Sequence, residues 1–413
     1  MKYLLVLLLS LTWLGAPIAR ADDQVARGQY LALLGDCAGC HSAAHRPPFS
    51  GGLPFTASFG TVYSTNITPD GETGIGNWTE AQFYRALHEG IAADGHHLYP
   101  AFPYFYFTRI SRADTDALFA FLKTVKPVHR PPTPNRLIFP FNIRALMTFW
   151  NWLFLDDARF SPDPRQTAEW NRGAYIVTGL GHCAACHTPK NVLFGDEDSK
   201  AFTGTVLDNW FAANLTGNRA GGLGQWSHAD LSRYFATGRN RYATAAGSMQ
   251  EKVTLSLSRL TDADRDAIAT YLKSLPPKEP PSPAPAHADQ MAHGEAVFVN
   301  HCAICHQPPA GERAPPDKLA DYPALPGDTL VLGRDPTTVV HILLEGAQSP
   351  VTTHEHTTYS MPSFAALSDQ DIADVATYVR NAWGNRASPV AKSQVHALRR
   401  AIASEPQVFT VAQ

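Results

Sequence analysis

Cys37-Ala38-Gly39-Cys40-His41, Cys183-Ala184-Ala185-Cys186-His187 and Cys302-Ala303-Ile304-Cys305-His306 use up all six cysteines of a 413-residue chain. In each, two cysteines are spaced by two residues and a histidine follows at once. Residues i, i+3 and i+4 share one face of a helical turn, so two thiols and one imidazole project together. This geometry suits two thioether bonds to haem vinyl groups with a histidine on the iron, and C-x-x-C-H is the attachment sequence of c-type haem. Other readings of the cysteines fare worse. Exported proteins can form disulfides, but that leaves the histidine behind every pair unexplained. A dithiol redox site needs a strand-helix context that none of the three copies has, and a zinc site needs a second ligand pair that the cysteine count excludes. Three covalently bound haem c groups are expected, on Cys37/Cys40, Cys183/Cys186 and Cys302/Cys305, with His41, His187 and His306 as proximal ligands.

The surrounding sequence repeats in the same order three times. Each copy opens on a short helical stretch with a glycine, at Arg27-Gly28-Gln29-Tyr30, Arg172-Gly173-Ala174-Tyr175 and His293-Gly294-Glu295-Ala296, about ten residues before the cysteines. Two copies then run through a glycine-rich turn to a tryptophan and a helix start, Asn77-Trp78-Thr79 and Gln225-Trp226-Ser227, where the third has Arg334-Asp335-Pro336. Each closes on a helix announced by Ser or Thr with an acid three residues on, a capping-box pattern: Ser111/Asp114, Thr261/Asp264 and Ser368/Asp371. The closing helices carry Phe121, Tyr271 and Tyr378 in register, one turn beyond Leu118, Ile268 and Val375.

Composition marks the ends and joints. Lys2, the apolar run Leu4–Leu14 and Ala19-Arg20-Ala21 read as a cleaved export signal over residues 1–21; the run is short of the roughly 20 residues a membrane span needs. The expected division is 22–130, 131–165 (a linker with an aromatic segment), 166–276, 277–288 (a proline-rich linker), 289–386 and a tail 387–413. Within the first linker, Leu137 to Leu155 is apolar and holds Trp150 and Trp152, but Asn142, Arg144 and Asn151 interrupt it. It reads as a packed crossover or a docking surface. The second linker reads as an extended spacer, and the tail carries Val395, Leu398 and Ile402 at helical spacing. A formal charge of −3 provides no basic footprint for nucleic acid.

Methionine as sixth ligand raises a haem's potential and closes its iron. Met249 and Met361 precede the closing helices of the second and third copies at similar distances from their cysteines, and both are expected as distal ligands. The first copy has no methionine from Asp22 to Arg130. Its matching stretch, Leu98-Tyr99-Pro100-Ala101-Phe102-Pro103-Tyr104, centres on a phenylalanine, which cannot ligate iron. Either the first haem is five-coordinate or another group such as His96 or His97 replaces the sulfur. Proximal histidines usually donate their second ring nitrogen to a fixed acceptor; Pro47 or Pro48, Pro189 and Pro308 are placed to offer carbonyls.

Over nearly its whole mature length the chain resembles the three-haem cytochrome c subunits of membrane-bound bacterial dehydrogenases. The resemblance is carried by Arg27-Gly28-Gln29-Tyr30-Leu31, Ser64-Thr65-Asn66-Ile67-Thr68-Pro69-Asp70, Trp170-Asn171-Arg172-Gly173-Ala174-Tyr175, Gly179-Leu180-Gly181-His182-Cys183 and Pro140-Phe141-Asn142-Ile143-Arg144. It implies an all-α fold of three tandem class I cytochrome c-like domains joined by Pro-rich linkers. It also implies a separate catalytic subunit with PQQ, flavin or molybdopterin, and electron delivery to ubiquinone or a terminal oxidase. Peripheral attachment to the periplasmic face of the inner membrane goes with it. Phe102 departs from the family pattern, which has methionine there. The resulting expectation is an electron-transfer subunit with no catalytic residues. One rival is a haem enzyme using an open iron in the first copy; another is an assembly protein docking through the tryptophan-rich linker.

Overall fold

The computed structural model describes residues 16–278, 282–306 and 322–404, with side chains from residue 22. Residues 1–15 of the expected leader lie outside the described residues, and 16–21 begin the helix Ala16–Leu34. The chain divides into two compact units, Met1–Phe160 and Ser161–Gln413.

Three helix pairs organise these units. In the first, Ala16–Leu34 packs along Arg112–Leu122; in the second, Ala168–Thr178 packs along Asp262–Lys273, and Ala288–His301 along Asp369–Asn381. Each pair is closest at a glycine. A Cβ on Gly28 or Gly173 would stand 1.9 Å from the carbonyl oxygen of Ala117 or Ala267, and one on Gly294 would stand 2.2 Å from that of Asp374. The neighbouring Cβ atoms belong to Phe121, Tyr271 and Tyr378, the aromatics that the repeat aligns, and Leu118, Ile268 and Val375 are buried beside them.

Polar bonds cross each pair at the same level. Arg27 Nε donates to Asp114 (2.7 Å), Arg172 binds both oxygens of Asp264 (2.7 Å each) and His293 Nδ1 meets Asp374 at 2.7 Å. The closing helices start as their sequences predict, with the Ser111, Thr261 and Ser368 side chains accepting from the backbone N–H of Asp114, Asp264 and Asp371. Asp371 also reaches back to complete its capping box, whereas Asp114 and Asp264 carry the arginines. Helices Glu80–Glu89 and His228–Thr237 follow Trp78 and Trp226 with complete boxes at Thr79 and Ser227. In the third repeat the matching helix is Thr337–Glu345, whose first N–H bonds to Asp335.

The architecture is mainly helical, and it departs from a purely α fold through short antiparallel ribbons. Pro54–Ala57 pairs with Gly60–Tyr63, which pairs in turn with Arg136–Leu137. Thr205–Leu207 pairs with Trp210–Ala212, and Ala347–Gln348 with Ser360–Met361. The aromatic segment after the first closing helix is packed, with a strand residue at Leu137 and a helix Leu146–Phe154. Met147 and Trp150 of that helix are buried against Tyr104, while Phe139, Phe149 and Trp152 are 78%, 57% and 77% exposed.

The second and third repeats share one unit. Trp226 Nε1 donates to Thr329 Oγ1 (2.9 Å), Phe211 N–H to Thr338 Oγ1 (2.8 Å), and His341 donates from Nδ1 to the Asn209 carbonyl (2.9 Å) while stacking on Trp210. The proline-rich stretch between the repeats has no regular structure in its described residues, and the contacts above join the two repeats. The tail forms the helix Lys392–Ser404, with Val395 and Leu398 buried in the third core.

Gly173→Ala would force a methyl group onto the Ala267 carbonyl. Overpacking of this kind costs about 1–3 kcal/mol, so the denaturation midpoint of the second unit should fall. An unchanged midpoint would mean that the helices do not cross this closely.

Candidate functional site

Each cysteine-histidine motif lies just beyond its opening helix, in a single turn. Cys37–His41 and Ala184–His187 are helical turns. In the second and third motifs the histidine N–H bonds back to the first cysteine's carbonyl, His187 to Cys183 at 3.0 Å and His306 to Cys302 at 2.9 Å. This is the i to i+4 relation that places both cysteines and the histidine on one face. All six cysteines lie among the described residues, and no disulfide joins them. Burial raises the Cys183 and Cys302 thiols to about 11, which keeps them protonated.

The three imidazoles are held alike. Nδ1 of His41 meets the Thr65 carbonyl at 2.7 Å, that of His187 the Ala213 carbonyl at 2.6 Å and that of His306 the Pro323 carbonyl at 3.2 Å. A carbonyl only accepts, so Nδ1 carries the proton and Nε2 keeps its lone pair. Burial lowers the pKa of all three rings, and the carbonyl bond offsets part of that shift. The rings are therefore neutral, as metal ligands must be.

These acceptors differ from those expected. Pro47, Pro48 and Pro189 do not receive these bonds, and Pro308 lies outside the described residues. A loop 24, 26 and 17 residues beyond the histidine in the three repeats does so instead. Its repeated composition was the available signal: Asn66-Ile67-Thr68 and Asn214-Leu215-Thr216 follow directly on Thr65 and Ala213. Asn66 accepts from the Thr68 N–H (2.9 Å) and donates to the Val128 carbonyl (2.7 Å); Asn214 accepts from Thr216 (2.8 Å) and donates to Lys278 (3.3 Å). The loop is thereby tied to the strand of chain leaving the closing helix. In the third repeat Asn385 makes the equivalent tie from the other side, donating to the Leu325 carbonyl (3.1 Å) and accepting from Gly327 (2.8 Å).

Met249 is the second residue of the helix Ser248–Leu255, and Met361 lies in the strand Ser360–Met361 against the third core. Both are half-buried, as is Phe102, which precedes the short helix Tyr104–Phe107. His96 is exposed beside Asp94 (2.6 Å), and His97 meets Thr148 Oγ1 at 2.9 Å. Among the described residues no group of three or more His, Cys, Asp or Glu side chains converges as a metal cluster. Two thiols and one neutral imidazole with Nε2 left to ligate, on one turn and repeated three times, form a donor set that fits covalently attached haem c.

A sequence model of the cytochrome c family matches residues 171–276 and 291–383, the second and third repeats. The chain is 38% identical to the gluconate 2-dehydrogenase cytochrome c subunit of Pantoea cypripedii, over 92% of each chain. It is 37% identical to the cytochrome c subunit of the quinone alcohol dehydrogenase of Komagataeibacter europaeus, over 90% of this chain and 84% of that one. The fructose dehydrogenase cytochrome subunit of Gluconobacter japonicus is 36% identical, over 93% of this chain and 84% of its own. The repeats thus define a cytochrome c. Within that class the chain belongs to the family of dehydrogenase cytochrome c subunits represented by these gluconate, alcohol and fructose dehydrogenase proteins.

Asn214→Ala removes both ties of the acceptor loop in the second repeat. Leaving such buried groups unsatisfied costs about 1–3 kcal/mol, to be read as a lower thermal midpoint. A midpoint equal to that of the parent protein would contradict the role given to this loop.

Proposed function

We propose that the chain is a tri-haem electron-transfer subunit, with cytochrome c domains over residues 22–130, 166–276 and 289–386. It takes electrons from a dehydrogenase catalytic subunit that carries PQQ, flavin or molybdopterin, and passes them toward ubiquinone or a terminal oxidase. The observation that carries this reading is the threefold occurrence of one donor set, each imidazole fixed on a loop carbonyl, in a chain whose relatives are dehydrogenase cytochrome subunits. Haem c, when bound, supplies a one-electron centre whose potential follows its axial ligands, hydrogen bonding and burial.

The chain's own residues have separable tasks. Cys37, Cys40, Cys183, Cys186, Cys302 and Cys305 would hold the three groups covalently, and His41, His187 and His306 would supply the proximal nitrogens. The Thr65, Ala213 and Pro323 carbonyls fix ring orientation and raise the basicity of the ligating nitrogen. Met249 and Met361 would supply distal sulfur to the second and third groups. Substrate oxidation is assigned to the partner subunit.

Residues 1–21 are read as an export signal and the mature chain as periplasmic, held peripherally on the inner membrane. No described helix is long and apolar enough to cross a membrane. The exposed side chains Phe139, Phe149 and Trp152 support an interfacial contact, because aromatic rings settle at the headgroup level. The only charged residue from Leu137 to Leu155 is Arg144, which opposes no anionic lipid.

Three measurements test these assignments. In cells producing the whole complex, His187→Ala should abolish substrate-dependent respiration while the dehydrogenase still reduces an artificial acceptor; undiminished respiration would refute the electron-transfer role. Phe149→Ser with Trp152→Ser should cut binding of the mature chain to anionic vesicles at least tenfold at unchanged thermal stability. Equal binding would remove the membrane contact from this face. Trp150→Ser should instead destabilise the first unit by about 3–5 kcal/mol, as loss of a large buried side chain does.

A further inference from the structure

The repeats differ at one position that bears directly on metal ligation. Phe102 stands 61 residues after His41, and Met249 stands 62 after His187. Both follow the glycine that ends the preceding helix in left-handed conformation, Gly90 and Gly238, by 12 and 11 residues. The register is thus shared, but a phenyl ring has no lone pair of the kind a metal takes. Unless a neighbour replaces the missing sulfur, the iron of a haem attached through Cys37 and Cys40 and ligated by His41 has no sixth protein ligand.

Most of the neighbouring donors are engaged elsewhere. His96 lies at the surface beside Asp94. The His97 ring meets Thr148 through Nε2 (2.9 Å) and its own carbonyl is held by Arg144 (2.7 Å), while Nδ1 is buried without a hydrogen-bond partner. His88 is fully buried, with Nδ1 on the Thr108 carbonyl (3.1 Å) and Nε2 on Thr115 (3.0 Å). Tyr99 donates its hydroxyl to the Phe141 carbonyl (3.1 Å), and Tyr104 donates to Asn151 (2.5 Å). Met147 has its side chain packed in the cluster with Tyr104 and Trp150.

Phe102 itself is braced. Its ring meets Phe107 edge-on at 5.4 Å between centroids and Tyr104 at 6.4 Å, and its backbone N–H bonds to the Tyr99 carbonyl. The aromatic helix Leu146–Phe154 clamps this loop from behind through Asn151, Trp150 and Thr148. Swinging His88, Tyr99 or Tyr104 inward would break the bonds just named. The loop is built to hold a hydrocarbon wall where the second repeat presents sulfur.

We infer that the first repeat is a binding site for a small exogenous diatomic ligand, such as carbon monoxide or nitric oxide, on ferrous iron beneath Phe102. The inference rests on the reading that Cys37, Cys40 and His41 hold a haem. The apolar ring of Phe102 favours neutral diatomics over anions, since an anion set against it loses hydration without compensation.

The test is carbon monoxide titration of the dithionite-reduced full-length holoprotein, read by its optical difference spectrum. One carbon monoxide per chain is expected. Cys37→Ala with Cys40→Ala should remove both one covalent haem and that binding; a variant that keeps the parent's haem content would refute the reading beneath the inference. A parent that loses one haem on this change yet binds no carbon monoxide would overturn the inference alone. Phe102→Met should abolish binding and add a methionine-to-iron charge-transfer band in the oxidised spectrum, and unchanged binding would count against the position. Met249→Phe, made independently, should raise the stoichiometry to two; a value still at one would refute the equivalence of the positions. If carbon monoxide binds only after His97→Ala, His97 is the sixth ligand and the inference fails.

Discussion

Gly28, Gly173 and Gly294 let the opening and closing helices of each repeat approach until the backbone of one meets the carbonyls of the other. The motif turns depend on that crossing. Each begins within a few residues of the opening helix's end, so its direction is inherited from the helix. The closing helix, capped at Ser111, Thr261 or Ser368, returns the chain toward the acceptor loop, and Asn66, Asn214 or Asn385 ties the two together. A side chain at the crossing would displace the scaffold on which both thiols and the imidazole are set.

The imidazole is where scaffold becomes chemistry. Its Nδ1 proton is committed to a backbone carbonyl in all three repeats, which selects the tautomer with a free Nε2 and fixes the ring plane. Because the acceptor is backbone, the amino acid at that position is free to vary, and Thr65, Ala213 and Pro323 do. Differences between the three centres must then arise elsewhere, and one candidate is the position proposed for the distal ligand: methionine in two repeats and a braced phenylalanine in one.

Much of this arrangement was readable from residues alone, for a physical reason. Motif turns, caps and the aromatic register of Phe121, Tyr271 and Tyr378 are local or periodic features, and periodicity survives in sequence. Features made by distant segments were harder to find. The sequence points to the nearby prolines as proximal acceptors, whereas a loop up to 26 residues away supplies them. Trp150 and Trp152 look alike in the chain, yet one is core and the other surface, because Met147, Trp150 and Phe154 form the inward stripe of their helix. The second and third repeats are joined by Trp226 to Thr329 and Trp210 on His341, contacts across more than a hundred residues that no short pattern announces. The β ribbons leave no pattern in the sequence because strands of two to four residues carry too little alternation.

The central claim is that one helix-pair scaffold is used three times to hold the same group. The intact mass of the mature protein, produced in a host with haem-attachment machinery and measured under denaturing conditions, tests it most directly. Three covalent haem masses on a single polypeptide are predicted. A mass corresponding to two or fewer, with the remaining cysteines free to alkylate, would contradict it.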